Sequence, residues 1–225
     1  MTTDKKGTGL FMVWVDIPSE HEDELNRWYN EEHMAAILAD VPGFLDAARY
    51  VAVSGTPKYL ACYELESVQV VESPAFLRLP YEMSPWTTRM LSEELGLTLR
   101  NNAYQQIFPA QVSQAVAQSH MAPALQVGLM DIPPEIEDEF NQWYNTIFVP
   151  GFEKVPGCIR GRRYRVVDGE PKYATVYEFE HEGVPQSPEW IAASKSHPQS
   201  ARIIPQMKNA AGSPGVYRKI FFPTI

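Results

Sequence analysis

The chain opens with an apolar run, LFMVWVDI at residues 10–17, rich in β-branched and aromatic side chains and short enough for a strand buried on both faces. Pro18-Ser19 ends it. Ser19 with Glu22 three residues on fits a capping box, and Glu20, Glu22, Asp23 and Glu24 favour a helix N-terminus. The predicted helix covers 19–38, with Leu25, Tyr29, His33 and Ile37 forming one stripe at i+4 steps, and Val41-Pro42-Gly43 breaks it. Residues 44–53 and 58–66 alternate as two strands around the turn signal Ser54-Gly55-Thr56-Pro57. From Ser73 the pattern is helical but interrupted by Pro80 and Pro85, which predicts a short helix, a loop and a helix over 85–95. A closing strand over 98–109 completes the order β-α-β-β-α-β, a ferredoxin-like unit.

Most of that pattern is written twice. DIPSEHEDELNRWYN at 16–30 answers DIPPEIEDEFNQWYN at 131–145, an offset of 115. The offset slips to 114 where RYVAVSGTPKYLACYELE (49–66) meets RYRVVDGEPKYATVYEFE (163–180), and to 113 near the C-terminus. Two copies of a unit of roughly 110 residues therefore fill the chain. The division is a tail at 1–9, a first unit at 10–109, a small polar linker at 110–124 and a second unit at 125–225. Each α+β unit would have one sheet face covered by its own helices and one bare. Two tandem units cover each other's bare faces by packing sheet to sheet as a pseudo-dimeric α+β barrel.

A hydrophobic content of 44% supports a packed core, and a net charge of −9 argues against nucleic acid or an anionic membrane as partner. No apolar run approaches the roughly 18 residues of a membrane span. Cys62 and Cys158 occupy non-equivalent places in the repeat and have no second cysteine at metal spacing, which reads as two buried thiols in a reducing cytoplasm. A further homodimer is expected to form through exposed sheet edges.

The segments WYNEEH (28–33), VPGF (41–44), Arg49-Tyr50 and GTPKY (55–59) resemble the dimeric α+β barrel superfamily, closest to its EthD-like members, here in tandem in one chain. The resemblance implies a hydrophobic cleft between sheet and helices, often with one His as acid or base. Its members include polyketide cyclases, cofactor-free oxygenases of phenolic compounds, muconolactone isomerases and haem proteins. Fold does not fix function, so the chemistry rests on residues.

His33 is the informative position, because its sister is Phe148. Glu31-Glu32-His33 has diverged to Thr146-Ile147-Phe148, while Trp-Tyr-Asn just before it is shared. Such asymmetry points to one working cleft and one retired or structural one, with imidazole suited to proton transfer near neutrality. A histidine on a sheet-facing stripe is also commonly a hydrogen-bonded core residue. Glu32 or Asp16 could orient His33; Tyr59 or Tyr63 could steady a developing oxyanion. Trp28 and Tyr29 would shape the apolar wall, with Trp86 and Arg89 in an irregular lid beside Phe76, Met83 and Met90. Arg49 is either an anion-binding group or the partner of Glu64 or Glu178 on neighbouring strands. The phosphate-loop, GxSxG, CxxC and HExxH motifs are missing, and His21, His120, His181 and His197 make no metal set with His33 by spacing. A single axial His would suffice for haem. The expectation is an enzyme without metal or organic cofactor that isomerises, cyclises, dehydrates or cleaves a small aromatic or polyketide-like molecule in aromatic catabolism. The alternatives are a cofactor-free monooxygenase and a non-catalytic binder of a hydrophobic metabolite.

Overall fold

The structure is a computed structural model that describes residues 4–223. Eight antiparallel strands close into a barrel: β1 (Gly9–Asp16), β2 (Phe44–Ser54), β3 (Tyr59–Leu65), β4 (Thr98–Phe108), β5 (Ala124–Asp131), β6 (Cys158–Val166), β7 (Tyr173–Phe179) and, after the two-residue β8 (Lys208–Asn209), β9 (Gly215–Phe221). Around the ring the order is β7-β6-β4-β1-β3-β2-β9-β5, and β5 pairs back to β7. The chain thus has a mixed α+β fold built on an eight-stranded antiparallel barrel. The two seams are β2 against β9 and β4 against β6. Closure consumes the strand edges, so among the described residues the expected route to a homodimer through exposed edges has no long edge to use.

The period of two along each strand sorts side chains between two cores. Leu10, Met12 and Trp14 of β1 point into the barrel with Leu60 and Cys62, while Val13 and Val15 face the outer helices with Tyr59, Ala61 and Tyr63. The shared tyrosines therefore divide: Tyr50, Tyr104, Tyr164 and Tyr217 fill the barrel, and Tyr59, Tyr63, Tyr173 and Tyr177 lie under the helices. Of the two cysteines, Cys62 is buried as expected, but Cys158 at the start of β6 is only half-buried.

The linker at 110–124 and the described part of the tail, residues 4–9, pack against the barrel. Residues 110–124 contain the short helix α5 (Gln114–Ala117), and Met121 and Ala122 then enter the barrel core, where Tyr50 Oη donates to the Ala122 carbonyl at 2.9 Å. In the N-terminal segment Lys6 is 2% exposed and lies 3.4 Å from Glu64 and 3.7 Å from Glu178. Arg162 pairs with both carboxylates as well. Burial alone would raise the Glu64 pKa, yet Arg162 and Lys6 hold it below the ordinary carboxylate value.

Outside the barrel, α1 (Glu22–Trp28) continues through a π-helical turn (Tyr29–His33) into α2 (Met34–Asp40). The capping box does not form: Ser19 Oγ donates to Glu20, and the first turn is 3₁₀. Gly43, at φ +96°, lets the chain reverse into β2 against Val70. The irregular region resolves into α3 (Pro74–Arg78) and α4 (Pro85–Met90), each capped by the serine before its proline. In the second half α6 (Glu137–Trp143), a π-helical turn (Tyr144–Phe148) and α7 (Val149–Phe152) form the long helix, with α8 (Pro188–Ser194) and α9 (Pro198–Ile203) over it. No helix among the described residues is long and apolar enough to cross a membrane.

Candidate active site

Between the first half's helices and the outer face of β1, β3 and β4 lies a cavity of ≈ 160 Å³. Phe11 and Val13 of β1 and Tyr63 of β3 form its floor, and Trp28, Tyr29 and His33 its helical wall. On the other side of His33 a larger cavity of ≈ 500 Å³ lies under the α3–α4 lid, lined by Glu32, His33, Met83 and Thr87 among others. His33, Ile37, Leu79 and Leu91 line both. The imidazole therefore stands between the inner chamber and a vestibule that carries Glu32, Asp40 and Glu82 among apolar side chains.

The π-helical turn puts it there. The Met34 N–H donates to the Tyr29 carbonyl five residues back, so the wall drifts from the expected i+4 stripe. The His33 ring consequently stacks on Trp28, five residues earlier, with centroids 4.2 Å apart and planes 25° off parallel. Tyr29 meets the same ring edge-on at 5.3 Å. His33 has no hydrogen-bond partner among the described residues, so it is not the satisfied core histidine that the stripe also allowed. Burial lowers its pKa to about 4; Glu32 opposes the shift and Arg49 adds to it. At neutral pH the ring is a neutral base.

Three further groups tune the chamber. Burial raises the Tyr29 phenol to about 12 and Tyr63 well above its ordinary value, so both remain hydrogen-bond donors at neutral pH. Arg49, 1% exposed, lies 4.4 Å from the Tyr29 ring centroid and donates to Asn30 Oδ1 at 3.1 Å. Its charge favours an anion on or beside Tyr29.

Other expected assignments move. Arg49 does not pair with Glu64 or Glu178, which Arg162 and Lys6 occupy, and it sits behind Tyr29, away from the cavity lining. The Tyr59 hydroxyl donates to Glu22 at 3.2 Å, outside the cavity, so Tyr29 takes the place expected for Tyr59 beside Tyr63. Asp16 accepts from the Lys58 N–H at 2.6 Å and fixes the β2–β3 turn; it does not orient His33. Glu32 lines the vestibule but binds the lid, accepting from Ser84 and Thr87, whose hydroxyl also accepts from Trp28 Nε1 at 3.0 Å. Arg89 is held by Glu24 at 2.9 Å, and Trp86 lies under Arg27; both brace α4 against α1 without lining a cavity. Met90 is core, whereas Phe76 lines the inner chamber and Met83 the vestibule. Phe11, Val13 and Asn101 were missed. The alternation of β1 carried the signal for the first two, which share an outward face with Val15. Among the described residues no cluster of three or more His, Cys, Asp or Glu could hold a metal ion.

This architecture is shared with several solved structures, which defines a fold before it defines a reaction. An anthrone oxidase-like protein matches with TM-score 0.57 at 15% identity, over 97% of this chain and 94% of that one. A chlorite dismutase from Candidatus Nitrospira defluvii matches with TM-score 0.62 at 10% identity, over 95% and 90%. A monooxygenase-like protein from Fusobacterium nucleatum matches with TM-score 0.52 at 10% identity, over 97% and 95%. No family model and no curated protein matches the sequence. At these identities the likeness shows the fold alone.

Proposed function

We propose that the protein is a cofactor-independent acid–base enzyme acting on a small aromatic or polyketide-like molecule, with His33 as the base. The observation that carries this reading is the neutral, unpartnered imidazole at the neck of an apolar chamber. A weakly acidic C–H or O–H held in the chamber would give its proton to His33, and the imidazolium would rest on the Trp28 indole face. The negative charge left on the substrate would be met by the Tyr29 and Tyr63 phenols, with the Arg49 guanidinium behind Tyr29. Returning the proton to another atom gives isomerisation, cyclisation or loss of a leaving group.

A second reading, cofactor-free oxygenation of the same anion by molecular oxygen, draws support from the oxidase-like and monooxygenase-like neighbours. The residues do not suit haem: the vestibule beside His33 is lined by Glu32, Asp40 and Glu82 with no Lys or Arg to pair propionates. We also read the two halves as a tandem duplication of EthD-like units, with any homodimer formed through helical surfaces, in the cytoplasm.

The test follows wash-in of solvent deuterium by NMR into a panel of single-ring lactones, cyclic enones and phenols, with an oxygen electrode on the same samples. The proposal expects exchange that needs His33 and consumes no oxygen. Substrate-dependent oxygen uptake would favour the second reading. Exchange that is equal in the His33→Phe protein would contradict both.

A further inference from the structure

The second half carries its own cleft, larger than the first at ≈ 260 Å³. Where the first has His33, this one has Phe148, tilted 36° against Trp143 with ring centroids 4.4 Å apart. The substitution removes the base, yet the cleft has not become an apolar core. On its barrel-side floor, Phe11 of the first half is answered by Gln126, Val13 by Gly128 and Ala61 by Thr175. Each change either opens space or adds a polar atom.

Those polar atoms are enclosed and idle. Thr175 is 1% exposed and Tyr177 5%, and both hydroxyls lack a hydrogen-bond partner, as does the buried Oε1 of Gln126. The Tyr144 hydroxyl lies beside Thr175 and Tyr177 and is their polar neighbour in the cleft. A lone buried polar atom without a partner costs roughly 1–3 kcal/mol. All three belong to residues that line one cavity, and an occupant that reached them would satisfy them. Phe148, Phe152 and Trp190 supply aromatic walls around the same space. The lining contains no Asp, Glu, Lys, Arg or His, so a charged occupant would be desolvated without a counter-charge.

We propose that the second cleft is a binding site for a neutral, oxygen-bearing aromatic compound of two fused rings, held by Gln126, Thr175 and Tyr177. The size follows from volume: a cavity of about 150 Å³ lined by hydrocarbon accepts benzene, and ≈ 260 Å³ leaves room for a second ring. The amide, the aliphatic hydroxyl and the phenol together offer donors and acceptors to a ligand hydroxyl or carbonyl. The site has no group to move a proton at neutral pH, so it binds and does not turn over. It is independent of the chemistry assigned to His33.

The probe is 1-naphthol, titrated calorimetrically beside naphthalene into the intact protein and three variants. Thr175→Val removes a hydroxyl at nearly constant shape, Gln126→Phe copies the first half's ring, and His33→Phe alters only the other cleft. The expected result is 1-naphthol binding at least tenfold tighter than naphthalene. Thr175→Val should weaken it about tenfold, Gln126→Phe should abolish it, and His33→Phe should leave it unchanged, all with folding checked by melting temperature. If Gln126→Phe fails to fold, Thr175→Val alone decides. Equal affinity for the two probes, with Thr175→Val neutral, would mean that ordered water satisfies the cavity, and would overturn the proposal. Binding lost on His33→Phe, or no binding at all, would overturn it too.

Discussion

The two clefts share a plan and differ in how well their polar groups are satisfied, and the pattern is reversed between wall and floor. In the second half Arg163 donates to both Asn145 and Asn141 while lying 4.2 Å from the Tyr144 ring centroid. In the first half the sister Arg49 reaches only Asn30, leaving its Nη2 and the Oδ1 of Asn26 buried without partners. The Trp28 indole, by contrast, is bonded through Thr87 to Glu32, whereas the Trp143 indole N–H has no partner. The first half thus ties its lid to the wall that carries His33 and leaves the cationic support loose. The second half locks the cation and leaves polar atoms of its cavity-lining residues buried. On the readings proposed above, the first cleft holds a neutral base and the second a set of neutral hydrogen-bonding groups.

The largest effect should come from removing the base. His33→Phe should lower turnover of any substrate by about 10²–10⁴-fold, and the reverse exchange, Phe148→His, should not create activity, because its cleft has no tie from lid to wall like that of Trp28 and Glu32. Steady-state kinetics of the two variants breaks the comparison if Phe148→His gains activity.

Next comes acid stability. His33 is harder to protonate in the folded state, about pH 4, than in the unfolded chain, whose value is the ordinary 6.5. Above pH 6.5 both states are neutral and nothing is gained or lost. As pH falls from 6.5 to about 4 only the unfolded chain takes the proton, so stability declines by up to roughly 3 kcal/mol on this account. Urea unfolding of wild type and His33→Phe should show that gap opening across this window. A constant difference would contradict it.

A smaller difference concerns the indoles. Trp28→Phe and Trp143→Phe lose similar ring area, but only the first breaks a hydrogen bond, and the second removes an unpartnered N–H. Trp28→Phe should therefore be more destabilising by about 1–2 kcal/mol in thermal or urea melts. Equal losses would mean that Thr87 does not hold the indole.

The smallest effect tests the electrostatics behind Tyr29. Arg49→Met should raise the His33 pKa slightly, since the guanidinium disfavours the imidazolium. An unchanged or lower midpoint would place that charge too far away to matter.

Strand positions were legible because alternation appears twice in the chain at an offset that drifts only from 115 to 113, and β2 at Phe44–Ser54 and β4 at Thr98–Phe108 fall within a residue of the expected bounds. His33 stood out because its sister is apolar. What it touches was not legible: one extra residue in a helical turn has no composition signature, and it moves the imidazole from the Tyr29 stripe onto Trp28. Arg49 and Glu64 looked like partners because their strands adjoin, but they lie on opposite faces of the sheet, and the cations that satisfy Glu64 come from residues 58 and 98 positions away. Met121 and Ala122 look like linker residues because their apolar side chains have no period; the hole they fill is made by strands remote in sequence.

The most direct test is a ¹⁵N NMR titration of the His33 imidazole, in the free protein and with phenol added as a single-ring probe. The account predicts a neutral ring that titrates near pH 4 and whose resonances shift when phenol enters the chamber. A midpoint near 6.5, or a ring indifferent to phenol, would show His33 to be a solvated surface residue and contradict its role as the base of an enclosed site.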